Sequence, residues 1–146
     1  MHLPTLLPIL LSAGLSTACT LGIRATHQQN VADGSNSIAC DVRIWSGDLA
    51  EDGVRSTTPD ASAKVECGAD SHTLEYNGES YEFTWTSFGE DGGDVKIGDD
   101  GEITVQRTGG DLLSIYPDGE SANGVEYSPV STLAWANYWR RGINCP

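Results

Sequence analysis

General acid-base chemistry needs an imidazole and a carboxylate within reach of one substrate atom, and a neighbouring cation steadies the negative charge that develops. His72, Glu82 and Arg107 have side chains suited to those roles, with Glu90 as a second carboxylate. Whether they converge depends on the strands that carry them. In "TLEYNGESYEFTW", Asn77-Gly78 sits between alternating residues and predicts a type I′ hairpin. That turn sets Tyr76 opposite Glu79, Leu74 opposite Tyr81 and His72 opposite Phe83. His72, Leu74, Tyr76, Tyr81, Phe83 and Trp85 then share one face, while Thr73, Glu75, Ser80, Glu82 and Thr84 share the wet one. His72 and Glu82 point apart, so His72 reads as a histidine at the edge of the core and no catalytic residue is expected.

The stretch from "SHTLEYNGESYEF" to "TVQRTGG" is similar to the small guanyl-specific fungal ribonucleases, which are acidic, secreted and disulfide-bridged. In that family a His, a Glu, an Arg and a second His on adjacent strands activate a 2′-hydroxyl and protonate the leaving oxygen. The resemblance would assign the first three roles to His72, to Glu82 or Glu90, and to Arg107. No histidine follows Arg107, so the second has no counterpart, and the resemblance implies at most an inactive ribonuclease-like scaffold.

Two acidic loops, "GEDGGD" at 89–94 and "GDDGE" at 98–102, suggest calcium, which takes several oxygen ligands. At about 3.3 Å per residue of the intervening strand, Asp94 and Asp99 stand roughly 16 Å apart and cannot share an ion. In a meander alternate turns share an end, so Asp99, Asp100 and Glu102 could meet Asp118 and Glu120, and Glu90, Asp91 and Asp94 could meet Asp111. Turn formation and solubility explain these residues without a metal, and no cofactor is expected. Four tryptophans could build a flat platform for sugar rings. Trp85 belongs to the aromatic face of the hairpin. Trp45 points away from the Cys40 face by parity, and Trp135 and Trp139 lie one helical turn apart, so Trp45, Trp135 and Trp139 are the candidate ligand-binding residues.

The elements that must hold these residues follow from pattern. The apolar run from Leu3 to Leu15 carries no charge and breaks into Ser16, Thr17 and Ala18, the layout of a secretory leader, and it is too short for a membrane span. Residues 1–18 are read as a signal peptide, cut after Ala18. Cys19 is then the first mature residue rather than an acylated one, because Ser16 stands where a lipobox wants a branched aliphatic residue. Residues 19–37 read as a polar extended arm, and residues 38–146 as one disulfide-stabilised domain.

Within that domain, Ile38, Cys40, Val42 and Ile44 alternate as a strand, as do Val65 and Cys67. Pairing Val42 with Val65 sets Cys40 opposite Cys67, within bridging distance. That leaves Cys19 to pair with Cys145. Val95 and Ile97 are expected to pair with Ile103 and Val105, and a bulged loop around Gly109-Gly110-Asp111 sets Ile103 and Val105 opposite Ile115 and Leu113. Ser128 as N-cap, Pro129, then Arg140, Arg141 and Gly142 predict a short C-terminal helix, although Leu133, Trp135, Asn137 and Trp139 also alternate. The fold class is mainly β: an antiparallel meander forming a sandwich or barrel, with one short helix and two disulfides.

With 21 acidic residues against 8 basic ones, a net charge of −13 repels phosphate backbones. Neither a nucleic-acid partner nor membrane insertion is expected, and the chain reads as a monomer. The short leader without Lys or Arg, the four cysteines, the strand-rich pattern and the lack of a catalytic motif together resemble the small secreted effector and elicitor proteins of filamentous fungi. The resemblance implies a secreted, non-enzymatic protein that binds a host or competitor protein or is perceived by the host. A carbohydrate-binding module for cell-wall glycan is the alternative.

Overall fold

Alternation at period two shapes most of the strands of this chain, for which the computed structural model describes residues 17–67, 71–85, 88–91, 94–97, 103–117, 124–128 and 132–145. The strands are β1 (Ala18–Asn30), β2 (Asn36–Ser46), β3 (Ala61–Val65), β4 (Ser71–Tyr76), β5 (Glu79–Thr84), β6 (Phe88–Asp91), β7 (Asp94–Ile97), β8 (Ile103–Arg107), β9 (Leu112–Pro117), β10 (Gly124–Ser128) and β11 (Thr132–Asn144). A short helix, α1 (Glu51–Ser56), follows β2. Nine strands form one antiparallel sheet in the order β3-β2-β1-β11-β9-β8-β5-β4, with β10 also on β11, while β6 and β7 form a separate hairpin.

The two ends of that path, β3 and β4, lie against each other, so the sheet curls into a nearly closed barrel. Contact between β3 and β4 shields the two edges that would otherwise invite pairing with another chain. Leu21, Ile23 and Ala25 of β1, Val42 and Ile44 of β2, Phe83 of β5, Val105 of β8, Ile115 of β9 and Trp139 of β11 fill the interior. Side chains on the outward face include Arg24, Asp41, Thr73, Glu75, Glu82 and Gln106. This is the reverse of a barrel that faces lipid. No described helix is long and apolar enough to cross a membrane.

Several expected registers are observed. Tyr76 faces Glu79, Leu74 faces Tyr81 and His72 faces Phe83, with Asn77 at φ 51° and Gly78 at φ 78° as a type I′ turn requires. Ile103 faces Ile115 and Val105 faces Leu113. The disulfides join Cys40 to Cys67 and Cys19 to Cys145, with Cα atoms 5.4 and 5.1 Å apart. The β2–β3 register is displaced by two residues from expectation, Val42 facing Ala63 and Cys40 facing Val65. A shift of two keeps every side chain on its face, and Cys67, just past the end of β3, still reaches Cys40.

Three expectations are corrected. Residues 19–37 are not an arm: β1 is bonded along both edges, to β2 and to β11. Its alternation of Cys19, Leu21, Ile23 and Ala25 supplies one wall of the core. The C-terminal segment carries no helix: Thr132–Asn144 is the strand β11, paired residue for residue with β1 from Ala18↔Asn144 to Asn30↔Thr132. Ala136, Asn137, Tyr138 and Trp139 are consecutive and all buried, because β11 is covered on both faces, and long ladders outweigh local helix-boundary signals. Finally, β7 pairs with β6 and not with β8. β8 lies instead beside β5, which sets Val105 against Phe83 inside the barrel.

Charges on the outer wall are organised around Asp41, which accepts from Arg24 Nε at 3.1 Å and from both Arg43 Nε and Nη2. Where β2 meets β3, the Asp60 carboxylate accepts from the Ser46 backbone N–H at 2.6 Å and its hydroxyl at 2.8 Å. These bonds, the backbone one first, hold the Asp60 carboxyl below its ordinary value of 3.8. A carboxyl depressed on folding stabilises the native state above its unfolded pKa and loses that contribution as pH falls through the folded value. Stability followed by urea titration is therefore expected to decline below about pH 4. Asp60→Asn should flatten part of that decline while leaving the neutral-pH fold intact, and an unchanged acid limb would refute the assignment.

Candidate functional site

The ribonuclease-like constellation does not assemble. His72 lies at the seam that closes the barrel, its Nε2 3.0 Å from the Glu66 carbonyl oxygen and its ring centroid 4.7 Å from that of Trp85. It joins the end of β3 to β4 and packs on the core, as a structural histidine does. Glu82 is exposed on the outer face, opposite Thr73 and Gln106 in register, and accepts from the Ser71 hydroxyl at 2.7 Å. Arg107 stands two strands from His72 and two residues further along, a backbone separation of roughly 12 Å. Glu90 falls in β6, in the separate hairpin.

The tryptophan platform does not form either. Trp45 faces away from the Cys40 side as parity requires, yet it is 2% exposed, because Leu49 and Val54 of the α1 region cover it against Ala136 and Tyr138 of β11. Its Nε1 donates to the Thr57 carbonyl at 2.9 Å. Trp139 is 3% exposed and belongs to the barrel core. Trp135 lies in β11 opposite His27 in register. Asp99, Asp100, Glu102, Asp118 and Glu120 fall outside the described residues. Among the described residues no group of three or more His, Cys, Asp or Glu could hold a metal ion.

What the barrel does offer is a slot in its wall. The β9–β11 ladder consists of Trp139↔Pro117 and Arg140↔Tyr116, and it stops there. Beyond it the side chain of Arg141 spans the gap, Nη1 donating to the Ser114 carbonyl at 2.7 Å. A cavity of about 210 Å³ opens beside this bridge. Leu21, Val105, Leu113 and Ile143 give it apolar walls, the buried Tyr81 and half-buried Arg107 add polar groups, Gly110 completes the lining, and the exposed Asp111 and Asn144 form its rim.

Tyr81 and Arg107 are directly opposed in register on β5 and β8. Arg107 continues the inward alternation of Ile103 and Val105, which sets a guanidinium at the end of an apolar barrel. Tyr81 is 1% exposed, and its hydroxyl, beside the Arg107 guanidinium, finds no acceptor for its proton among the described residues. Burial pushes its pKa above 10, a rise that the nearby Arg107 charge opposes, so at neutral pH the hydroxyl keeps its proton and can donate. Arg107 is half-buried and makes no salt bridge among the described residues.

Arg107 was legible in the sequence as a functional type, but its neighbour is Tyr81 rather than a carboxylate. The missed signal was parity: position 107 has the same facing as 103 and 105. The fold and this slot define a class, a disulfide-tied, nearly closed antiparallel barrel with a small opening walled by four aliphatic side chains and a half-buried cation. No family model, curated protein or solved structure matches the chain.

Proposed function

We propose that the chain is a secreted, non-enzymatic protein of effector or elicitor type, acting outside the cell by binding a host or competitor molecule or by being perceived. The observation that supports this most is the pairing of all four cysteines, with none left free. Disulfides persist where the surroundings are oxidising. One bridge ties the mature N-terminus to the C-terminus and the other pins the β2–β3 corner, an arrangement suited to survival outside the cell. The strongly acidic surface fits an extracellular protein that must stay dispersed.

The test has two arms. Protein recovered from the culture medium of its natural producer is expected to begin at Cys19, with a mass that fits two disulfides and no acyl chain. Infiltrated into host tissue, the folded protein should then provoke a dose-dependent response that the reduced and alkylated protein does not. Retention inside the cell, or silence of the tissue at every dose, would count decisively against the proposal.

A further inference from the structure

We infer that the slot between β9 and β11 is a binding site for a small aromatic monocarboxylate, its carboxylate seated on Arg107 and its ring between Leu113 and Ile143. This goes beyond the extracellular role proposed above and holds whether or not any host perceives the protein.

Size sets the first limit. A cavity of about 210 Å³ exceeds the roughly 150 Å³ apolar cavity known to take up benzene, so one six-membered ring with a small substituent fits. Chemistry sets the second. Four aliphatic side chains wall the slot, and beside them stand a guanidinium with no ion-pair partner among the described residues and a buried hydroxyl whose proton finds no acceptor there. Buried polar groups in native proteins are almost always satisfied, so each unsatisfied one needs an explanation. A carboxylate satisfies the Tyr81 hydroxyl and neutralises the half-buried Arg107 at once: one oxygen pair takes the forked guanidinium N–H groups, and the same oxygens accept from Tyr81.

Charge sets the third. Asp111 at the rim and a net charge of −13 disfavour a second negative charge on the ligand, which separates a monoanion from a dianion. They also guard the entrance, so that an anion is held only where Arg107 neutralises it.

The experiment uses the mature, oxidised protein labelled with ¹⁵N and with ¹³C methyl groups. Titration with benzoate is expected to give saturable shifts confined to the slot and cross-peaks from the ring to the Leu113 and Ile143 methyls. Benzyl alcohol, phthalate and benzylammonium probe the carboxylate, the single charge and its sign. Each is expected to bind at least about tenfold more weakly, the worth of one charge-assisted hydrogen bond. Arg107→Met should weaken benzoate by about ten- to a hundredfold, and Tyr81→Phe by a smaller factor. Lys64→Met, which removes an equal charge from the exposed face of β3, should leave it within about twofold. The methyl cross-peaks test the site in the unaltered protein should Arg107→Met fail to fold. Benzoate shifts scattered over the surface, cross-peaks absent at saturation, equal affinity for benzyl alcohol, or unchanged benzoate affinity in a folded Arg107→Met variant would each overturn the inference.

Discussion

Replacing Cys19 and Cys145 together by serine is expected to lower the free energy of unfolding by about 5 kcal/mol, against about 3.5 kcal/mol for the same change at Cys40 and Cys67. The difference comes from the unfolded chain. The first bridge closes a loop across a sequence separation of 126 and the second across 27, and cross-linking removes more conformational freedom from the longer loop. The native state itself has little need of the first bridge to bring its ends together. Cys19 lies in β1 opposite Ile143 of β11, in a ladder that continues unbroken to Asn30↔Thr132. Denaturant titration of the two double variants checks the order. Equal losses would mean that the unfolded chain retains β1–β11 contacts, and a larger loss at Cys40 and Cys67 would shift the explanation to the native β2–β3 corner.

What the sequence revealed of this barrel follows the distance between interacting residues. The β4–β5 hairpin was legible to the residue because Asn77-Gly78 dictates the turn and the turn dictates the register. The β8–β9 register followed from matching Ile103 and Val105 to Ile115 and Leu113. The Cys40–Cys67 bridge was legible from strand parity, although the β2–β3 register was off by two, and Cys19–Cys145 followed as the remaining pair.

β1 and β11 were not legible as a pair. Each makes sense only against the other, and more than a hundred residues separate Ala18 from Thr132. Locally, residues 19–37 read as a polar extended arm, and Ser128, Pro129 and Gly142 read as helix boundaries. Only the thirteen-residue ladder between Ala18–Asn30 and Thr132–Asn144 reverses both readings. The slot escaped notice for the same reason. It exists because β11 leaves β9 after two pairs, a consequence of sheet curvature that no local pattern records. Of its residues, Arg107 drew attention for its type and Tyr81 for its face, but nothing in the sequence alone set one opposite the other.

Trp45→Ala is expected to lower stability by about 3–5 kcal/mol, the range for emptying a buried aromatic site. The argument runs through Gly22, where the outer wall of β1 has no side chain. A Cβ there would stand 2.8 Å from Trp45 Cζ3 and 3.1 Å from the Trp139 carbonyl oxygen, so the missing side chain leaves room for the indole to lie across β1. The ring reaches the cluster of Val54, Ala136 and Tyr138. Its Nε1–H meets the Thr57 carbonyl, so removing the ring also strands the segment after α1. Thr20 and Arg140 hold the loop before α1: Thr20 Oγ1 donates to the Gly47 carbonyl and accepts from the Leu49 N–H, and Arg140 Nη1 donates to the Leu49 carbonyl. Gly22→Ala alone should cost about 1–3 kcal/mol by overpacking. The double variant should be less destabilised than the sum by about 1 kcal/mol, because the ring is the nearer of the two obstacles and the Trp139 carbonyl remains. Chemical denaturation of the four proteins closes the cycle. Strict additivity would mean that the ring does not occupy the Gly22 groove, and a Trp45→Ala protein of undiminished stability that loses retention on a glycan column would restore the exposed platform that burial of this tryptophan argues against.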